Sequence, residues 1–233
     1  MRNFSNTYIY VFAGVMVLVV AAVLSFTSLT LKPFQAKNVE IETKRNILSS
    51  LGIEVMAAEA EAEYAKYIRE ALAVDASGEV VKGVVVEQLV MKEELAKSDQ
   101  DRRLPLYRAV KDGVSYTVFP VYGKGLWGPI WGYVALEEDL NTLAGVTFAH
   151  ASETPGLGAE ISEKSFQLPF VGKQLFDASG SFVSIAVLKP GSYTPDTHSV
   201  DAISGGTITS KALESMLQQS LGSYLKYIEK NKK

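Results

Sequence analysis

Between residues 3 and 31 the chain carries no charged side chain, and from residue 8 to residue 31 it is almost wholly apolar. Few folds can absorb such a run. About 20 residues of helix cross the hydrocarbon core of a bilayer, and this run is long enough. Tyr8 and Tyr10 suit one membrane interface and Lys32 the other. A cleaved signal peptide has an apolar region of roughly 7–15 residues followed by a small-x-small site, and no strong site of that kind follows here. A helix buried in a soluble core would normally keep a polar face. The run predicts a retained transmembrane anchor over residues 1–32, in contact with membrane lipid. Arg2 and the α-amino group precede the span, whereas Lys32, Lys37, Lys44 and Arg45 follow it. The positive-inside count therefore does not favour an N-terminus inside.

Pro33 is expected to break the helix after the span. Residues 38–51 set Val39, Ile47, Leu48 and Leu51 among charges ahead of Gly52, the pattern of a short amphipathic helix with a glycine stop. Residues 57–69 read as a second helix, which makes residues 33–73 a helical connector. Residues 72–81 look like two short strands around Ser77-Gly78, and residues 87–103 like an exposed, charged helix or loop. Two β-patterned runs, 104–110 and 114–122, flank Lys111-Asp112-Gly113 and predict a hairpin. Further strands are expected at 143–150 and 184–189, with a polar loop at 194–198. Near the end, Leu213, Met216, Leu217, Leu221, Tyr224, Leu225 and Ile228 recur at close to helical spacing. This mixture predicts an α+β domain over residues 74–233, an antiparallel sheet with flanking helices.

The chain has 233 residues, a net charge of −3 and no cysteine. So small a charge, with no basic block, argues against a nucleic-acid partner. Without cysteine the chain alone can hold no disulfide, cysteine-ligated zinc or cysteine-ligated iron–sulfur cluster. The only histidines are His150 and His198, too few for a His-rich metal site. Any redox chemistry must come from an organic cofactor or a partner subunit.

Ahead of the last helix lies Asp201-Ala202-Ile203-Ser204-Gly205-Gly206-Thr207-Ile208-Thr209-Ser210. A glycine-rich turn entering a helix is a natural anion site, because first-turn N–H groups and the helix dipole both favour a phosphate. Thr207 Oγ could also be esterified. The alternative is a Ser/Thr helix cap after a loop. A second passage, residues 123–136, gathers four glycines and both tryptophans, Trp127 and Trp131. It reads either as a wall for a flat ligand or as a core anchor of an edge strand. Glu153-Thr154-Pro155-Gly156 is a tight turn that offers a carboxylate and a hydroxyl. Lys189, at a strand end, could neutralise a phosphate or polarise a ring carbonyl, or simply be solvated.

Three of these passages carry a resemblance. Ser204-Gly205-Gly206-Thr207 resembles the Ser-Gly-Ala-Thr flavinylation motif of the FMN-binding domain family, in which FMN is joined through its phosphate to the threonine oxygen. His150-Ala151-Ser152-Glu153-Thr154-Pro155-Gly156-Leu157-Gly158 is similar to that family's second signature. Gly125-Leu126-Trp127-Gly128-Pro129-Ile130-Trp131-Gly132-Tyr133 resembles one branch of it, the anchored electron carriers of sodium-pumping NADH:quinone reductases. The three stand in the family's order, and the resemblance covers nearly the whole chain. Gly206 departs from the family's usual alanine.

The resemblance implies covalent FMN on Thr207, attached by a separate FMN transferase that uses FAD as donor and recognises Asp201 and Ser204. It implies a ring pocket of Leu126, Trp127, Glu153, Thr154 and Leu157, with Lys189, Gly205 and Thr209 near the phosphate or ribityl chain. It further implies a single-pass protein of the bacterial inner membrane with its soluble domain on the periplasmic side, working with other membrane and flavin subunits. Two alternatives remain at this stage. One is the flavin-bearing G subunit of the related ferredoxin:NAD+ electron-transport complex, against which Leu126-Trp127-Gly128-Pro129 argues. The other is a non-redox anchored module that binds a free anion.

Overall fold

The apolar run is helical, and the helix does not stop where the run does. In the computed structural model, which describes residues 5–191 and 197–232, α1 spans Asn6–Ser50. Arg2, and residues 194–196 of the polar loop, lie outside the described residues. The chain divides into two units, Met1–Thr43 and Lys44–Lys233. In the first, the helix is long and apolar enough to cross a membrane, and none of its most apolar stretch is buried against protein. Pro33 lies within α1, which corrects both the expected break and the separate short helix after it. One proline removes one backbone bond, and the turns on either side keep theirs. Gly52 does end the helix. At φ 70° its N–H reaches Ser49 O and the N–H of Ile53 reaches Leu48 O, both at 3.0 Å, the paired closure of a glycine C-terminus.

In the second unit a short helix, α2 (Ala60–Tyr67), runs straight into β1 (Ile68–Val74). The two short strands expected next are the end of β1 and β2 (Val80–Val81), paired antiparallel. The charged stretch after them holds α3 (Met91–Ala96) and is not merely a solvated face. Glu94 is buried, its carboxylate accepting from the backbone N–H of Arg103 at 2.9 Å and from Lys97 at 2.6 Å.

Then come β3 (Leu104–Lys111) and β4 (Val114–Lys124), the expected hairpin, followed by β5 (Pro129–Leu136) and β6 (Leu143–His150). They form one six-stranded antiparallel sheet in the order β2-β1-β3-β4-β5-β6. A short helix, α4 (Lys164–Gln167), precedes a small parallel pair, β7 (Ala186–Leu188) and β8 (Ser199–Asp201). The chain closes with α5 (Thr207–Ser223) and α6 (Leu225–Asn231).

Successive strand residues face opposite sides, and each side has its own core. Phe119, Val121, Ile130, Val134 and Phe148 meet the apolar stripe of α5, Leu213, Met216, Leu217 and Leu221. Tyr107, Val118 and Ala135 lie on the other side, against Ile47 and Leu51. Helix α5 sits close on β4: Ser220 Oγ accepts from Tyr122 N–H at 3.1 Å, and a methyl group on Gly123 would lie 2.8 Å from Met216 Cβ. This contact fixes where the first turn of α5 falls relative to the end of β4.

Candidate functional site

The hydroxyl-rich motif does not cap its helix. The residue ahead of α5 is Gly206, and no side chain makes a capping bond there. Thr207 is instead the first helical residue, exposed, with its hydroxyl outside the helix's own bonding. The N–H groups of Thr207, Ile208 and Thr209 fall in the first turn, where a helix has no carbonyl to offer them. Ser210, fully buried, turns back: its Oγ accepts from Ile203 N–H at 3.1 Å and ties the loop to the helix.

Helix periodicity sorts this turn into two sides. Thr207 and Lys211, four apart, share a face, while Thr209, two residues on, points away. On the Thr207 side is a cleft of about 280 Å³ lined by Lys189, Ser204, Gly205, Thr207, Ser210 and Lys211. Lys189 thus comes to Thr207 from a separate strand. On the other side Thr209 is buried, and its Oγ1 donates to Glu153 Oε2 at 2.6 Å. Glu153 Oε1 accepts from Trp127 N–H at 2.9 Å.

The loop that carries Trp127 is pinned at several points. Gly125 N–H donates to Gly128 O at 2.8 Å, and Ser152 Oγ donates to Trp127 O at 3.1 Å. Burial would raise the Glu153 carboxyl, but the bonds from Thr209 and from the N–H groups of Trp127, Leu126 and Gly128 outweigh it and hold the group below its ordinary value. His150 accepts from Glu153 N–H through Nδ1 at 3.2 Å, so that nitrogen carries a lone pair.

Around Thr207 several apolar side chains stand in solvent: Leu126 is 44% exposed, Trp127 67%, Leu157 41% and Ile208 60%. Leu157 lies against the glycine pair, since a methyl group on Gly205 would fall 2.7 Å from its Cδ2. Of the residues singled out from the sequence, the fold brings Leu126, Trp127, Glu153, Leu157, Lys189, Ser204, Gly205, Gly206, Thr207 and Thr209 around the first turn of α5. Thr154 is exposed and contributes its carbonyl, which accepts from Leu157 and Ala159 at 3.1 Å each. Trp131 goes elsewhere. It is in register with Tyr122 and Ala149 on β4 and β6, on the face away from Ile130, so the two tryptophans do not form one wall.

Sequence reasoning missed Lys211, Ile208, Ser210 and Ile203. Two signals were available: Lys211 stands four residues after Thr207, and Ile208 is an apolar residue off the buried stripe. Among the described residues, no group of three or more His, Asp or Glu gathers as a metal site.

The residues present fit a flavin phosphate. The first turn offers N–H groups, two lysines line the adjoining cleft, and exposed apolar side chains suit one face of a flat ring. Comparison with known proteins gives the class. The FMN-binding domain family matches residues 125–222, the stretch from the Trp127 loop to the end of α5. The C subunit of the Na(+)-translocating NADH-quinone reductase of Vibrio vulnificus is 33% identical over 94% of this chain and 92% of its own length. Among solved structures, the C subunit of the same reductase from Parabacteroides distasonis is 41% identical with a TM-score of 0.78, covering 85% of this chain and 96% of that one. NqrC of Shewanella oneidensis is 27% identical with a TM-score of 0.70, covering 82% and 96%. The chain belongs to the family of Na(+)-translocating NADH-quinone reductase C subunits.

Proposed function

We propose that this protein is the electron-carrying flavoprotein subunit of a sodium-translocating NADH:quinone oxidoreductase, with FMN joined through its phosphate to Thr207. The observation that carries the reading is the state of Thr207, a first-turn threonine whose hydroxyl is exposed and caps nothing. In the attachment, Thr207 Oγ bonds to the FMN phosphorus of FAD and the pyrophosphate bond breaks. AMP leaves, and the hydroxyl proton passes to the FMN transferase. No base is then required of this chain.

Lys189, Ser204, Gly205, Gly206 and the backbone N–H of Thr209 hold the phosphate end, and Leu126, Trp127, Thr154 and Leu157 shape the ring end, with Glu153 behind them setting the place of the Trp127 loop. Bound there, FMN supplies one-electron redox chemistry between an iron centre of other subunits and a further flavin-bearing subunit. The protein's own part is to fix the cofactor's position. A covalent bond suits an extracytoplasmic carrier, where no FMN pool could replace a lost cofactor. Residues 1–32 serve as the membrane anchor and 74–233 as the flavin-binding domain, on the periplasmic side of a bacterial inner membrane; the connector expected over 33–73 is not a separate element from Lys44 onward, where it belongs to the same unit as the domain and supplies β1 to its sheet. The apolar, unburied stretch of α1 supports the anchor.

Intact-protein mass spectrometry tests the attachment. Protein made alongside the transferase gains one FMN mass, and Thr207→Ala does not. An unchanged wild-type mass with no in-gel flavin fluorescence overturns the reading and leaves a non-redox ligand-binding module. Because the chain has no cysteine, a single Ser179→Cys in the domain reports orientation. Labelling by an impermeant thiol reagent from the periplasm is expected, and labelling only from the cytoplasm refutes the periplasmic placement.

A further inference from the structure

We infer that Glu153 is a positioning residue, a latch that holds the ring-side loop and the phosphate-side helix at a set distance without itself touching the flavin. The inference rests on the flavin reading of this site. Its ground is that the carboxylate is fully used. Glu153 is only 4% exposed, and its two oxygens are taken by donors from remote parts of the chain, Trp127 N–H and Thr209 Oγ1. The first belongs to the loop between β4 and β5, the second to the first turn of α5. One side chain thus joins the two segments by a hydrogen bond on each side.

The surroundings are cut to admit this group. A methyl group on Gly125 would lie 2.5 Å from Oε1, and one on Gly158 would lie 2.6 Å from Oε2 and closer still to Thr209 Oγ1. Two glycines from different segments thus leave space for one carboxylate. The chemistry also selects glutamate. Both partners donate, and an ionised carboxylate only accepts. Glutamine would present an amide N–H₂ to one of them, and aspartate is one methylene short of spanning the gap.

The latch also sorts charge. Thr209 faces the carboxylate, whereas Thr207 borders the cleft that Lys189 and, one turn along the same helix face, Lys211 also line. An ionised Glu153 on one side of the turn and Lys189 on the other, with Lys211 already paired to Glu214, direct a phosphate on Thr207 away from the carboxylate and toward the cleft. Trp127, held by its own N–H, is then set at a distance from Thr207 that the Glu153 side chain defines.

The test compares holo-protein made alongside the transferase for wild type, Glu153→Gln, Thr209→Val and the double variant. Mass spectrometry gives flavin occupancy, far-ultraviolet circular dichroism reports the fold, and visible circular dichroism with flavin fluorescence anisotropy reads how rigidly the ring is held. Each single variant is expected to keep the fold and the covalent mass but to lose visible dichroism and anisotropy. The double variant is expected to be no worse than the more severe single one, because both cut the same connection. A purely structural role would lower the melting temperature while leaving the flavin signature of the folded holo-protein unchanged, and that result overturns the inference alone. Should Glu153→Gln fail to fold, Thr209→Val, which keeps the shape of the side chain, decides between the same outcomes. A wild type that gains no FMN mass overturns the flavin reading and the latch together.

Discussion

Leu157 fills the space above Gly205: a methyl group on that glycine would lie 2.7 Å from Leu157 Cδ2, and the backbone there is left-handed, at φ 76°. Alanine at 205 therefore faces two penalties. The left-handed conformation costs a side-chain-bearing residue roughly 1–2 kcal/mol, and Leu157 must also move. Gly156 separates the two, because it has φ 73° and nothing within 4 Å of an added methyl. Gly205→Ala is expected to lower the melting temperature more than Gly156→Ala, and Leu157→Ala should remove the difference. Equal losses in the two glycine variants would show that the contact carries no energy. At about 2–4 °C per kcal/mol for a domain of this size, thermal melts resolve the comparison.

Gly206 answers to a different neighbour. Its φ of −101° is open to any residue, so no backbone strain demands glycine. Ile203 does: an added methyl would stand 2.9 Å from its Cγ2 and 3.0 Å from its Cβ. Replacing a glycine at an unstrained position gains about 0.4–1 kcal/mol through the unfolded chain. Here that gain is opposed by the displaced isoleucine. Gly206→Ala is expected to destabilise the wild type yet to stabilise an Ile203→Ala background, a coupling of at least about 0.5 kcal/mol in denaturant titrations. Identical effects in both backgrounds would remove Ile203 as the reason for glycine.

Most strands were legible because their evidence is local. The alternation through 104–122 around Asp112-Gly113, the run at 143–150 and the stripe from Leu213 to Ile228 each need only a period and a turn. Pro33 misled because helix breaking is a local cost, whereas α1 keeps its bonds on both sides of the ring. The site divides the same way. Thr207 and the glycines announced themselves by type and order. Thr209 looked like one more hydroxyl, since its role depends on a carboxylate 56 positions away in the chain. Trp127 and Trp131 sit in equally glycine-rich surroundings, but Trp127 falls in the loop ahead of β5, at the site, whereas strand register turns Trp131 to the face away from Ile130. Lys211 reads as an ordinary solvated lysine until β7 brings Lys189 to the same cleft.

The C-terminal helices are locked onto the sheet by a buried phenol. Tyr224 is 1% exposed, its hydroxyl donates to Pro105 O at 2.7 Å, and its ring meets Phe119 edge-on at 4.9 Å. Burial pushes its ionisation well above the ordinary value, so the group stays a donor across the working range. Tyr224→Phe keeps the ring contact and deletes the bond, with an expected loss of about 0.5–1.5 kcal/mol. Tyr224→Ala also opens a cavity and is expected to lose about 3–5 kcal/mol. Equal losses for the two variants in chemical denaturation would mean that the ring packing contributes nothing.

Acid should release the Trp127 loop through Glu153. Burial raises that carboxyl, but hydrogen bonds from Thr209 and from backbone N–H groups prevail, so its folded value lies below the ordinary 4.5. A depressed carboxylate stabilises the folded state fully above its unfolded value, and the contribution disappears as pH falls through the folded one. The loop is therefore expected to stay closed from neutral pH to about 4.5 and to open below. In Trp131→Phe protein, where Trp127 is the only tryptophan, emission anisotropy should fall over that acid range before the far-ultraviolet signal changes. Glu153→Gln should lack this early step, because the amide does not titrate. Asp75, Asp139 and Asp177 are also held below their ordinary values by local hydrogen bonds, and their protonation is expected to appear in the later, global loss of structure shared by both proteins. An early anisotropy change that persists unaltered in Glu153→Gln would place the acid sensitivity in those turns and not at the latch.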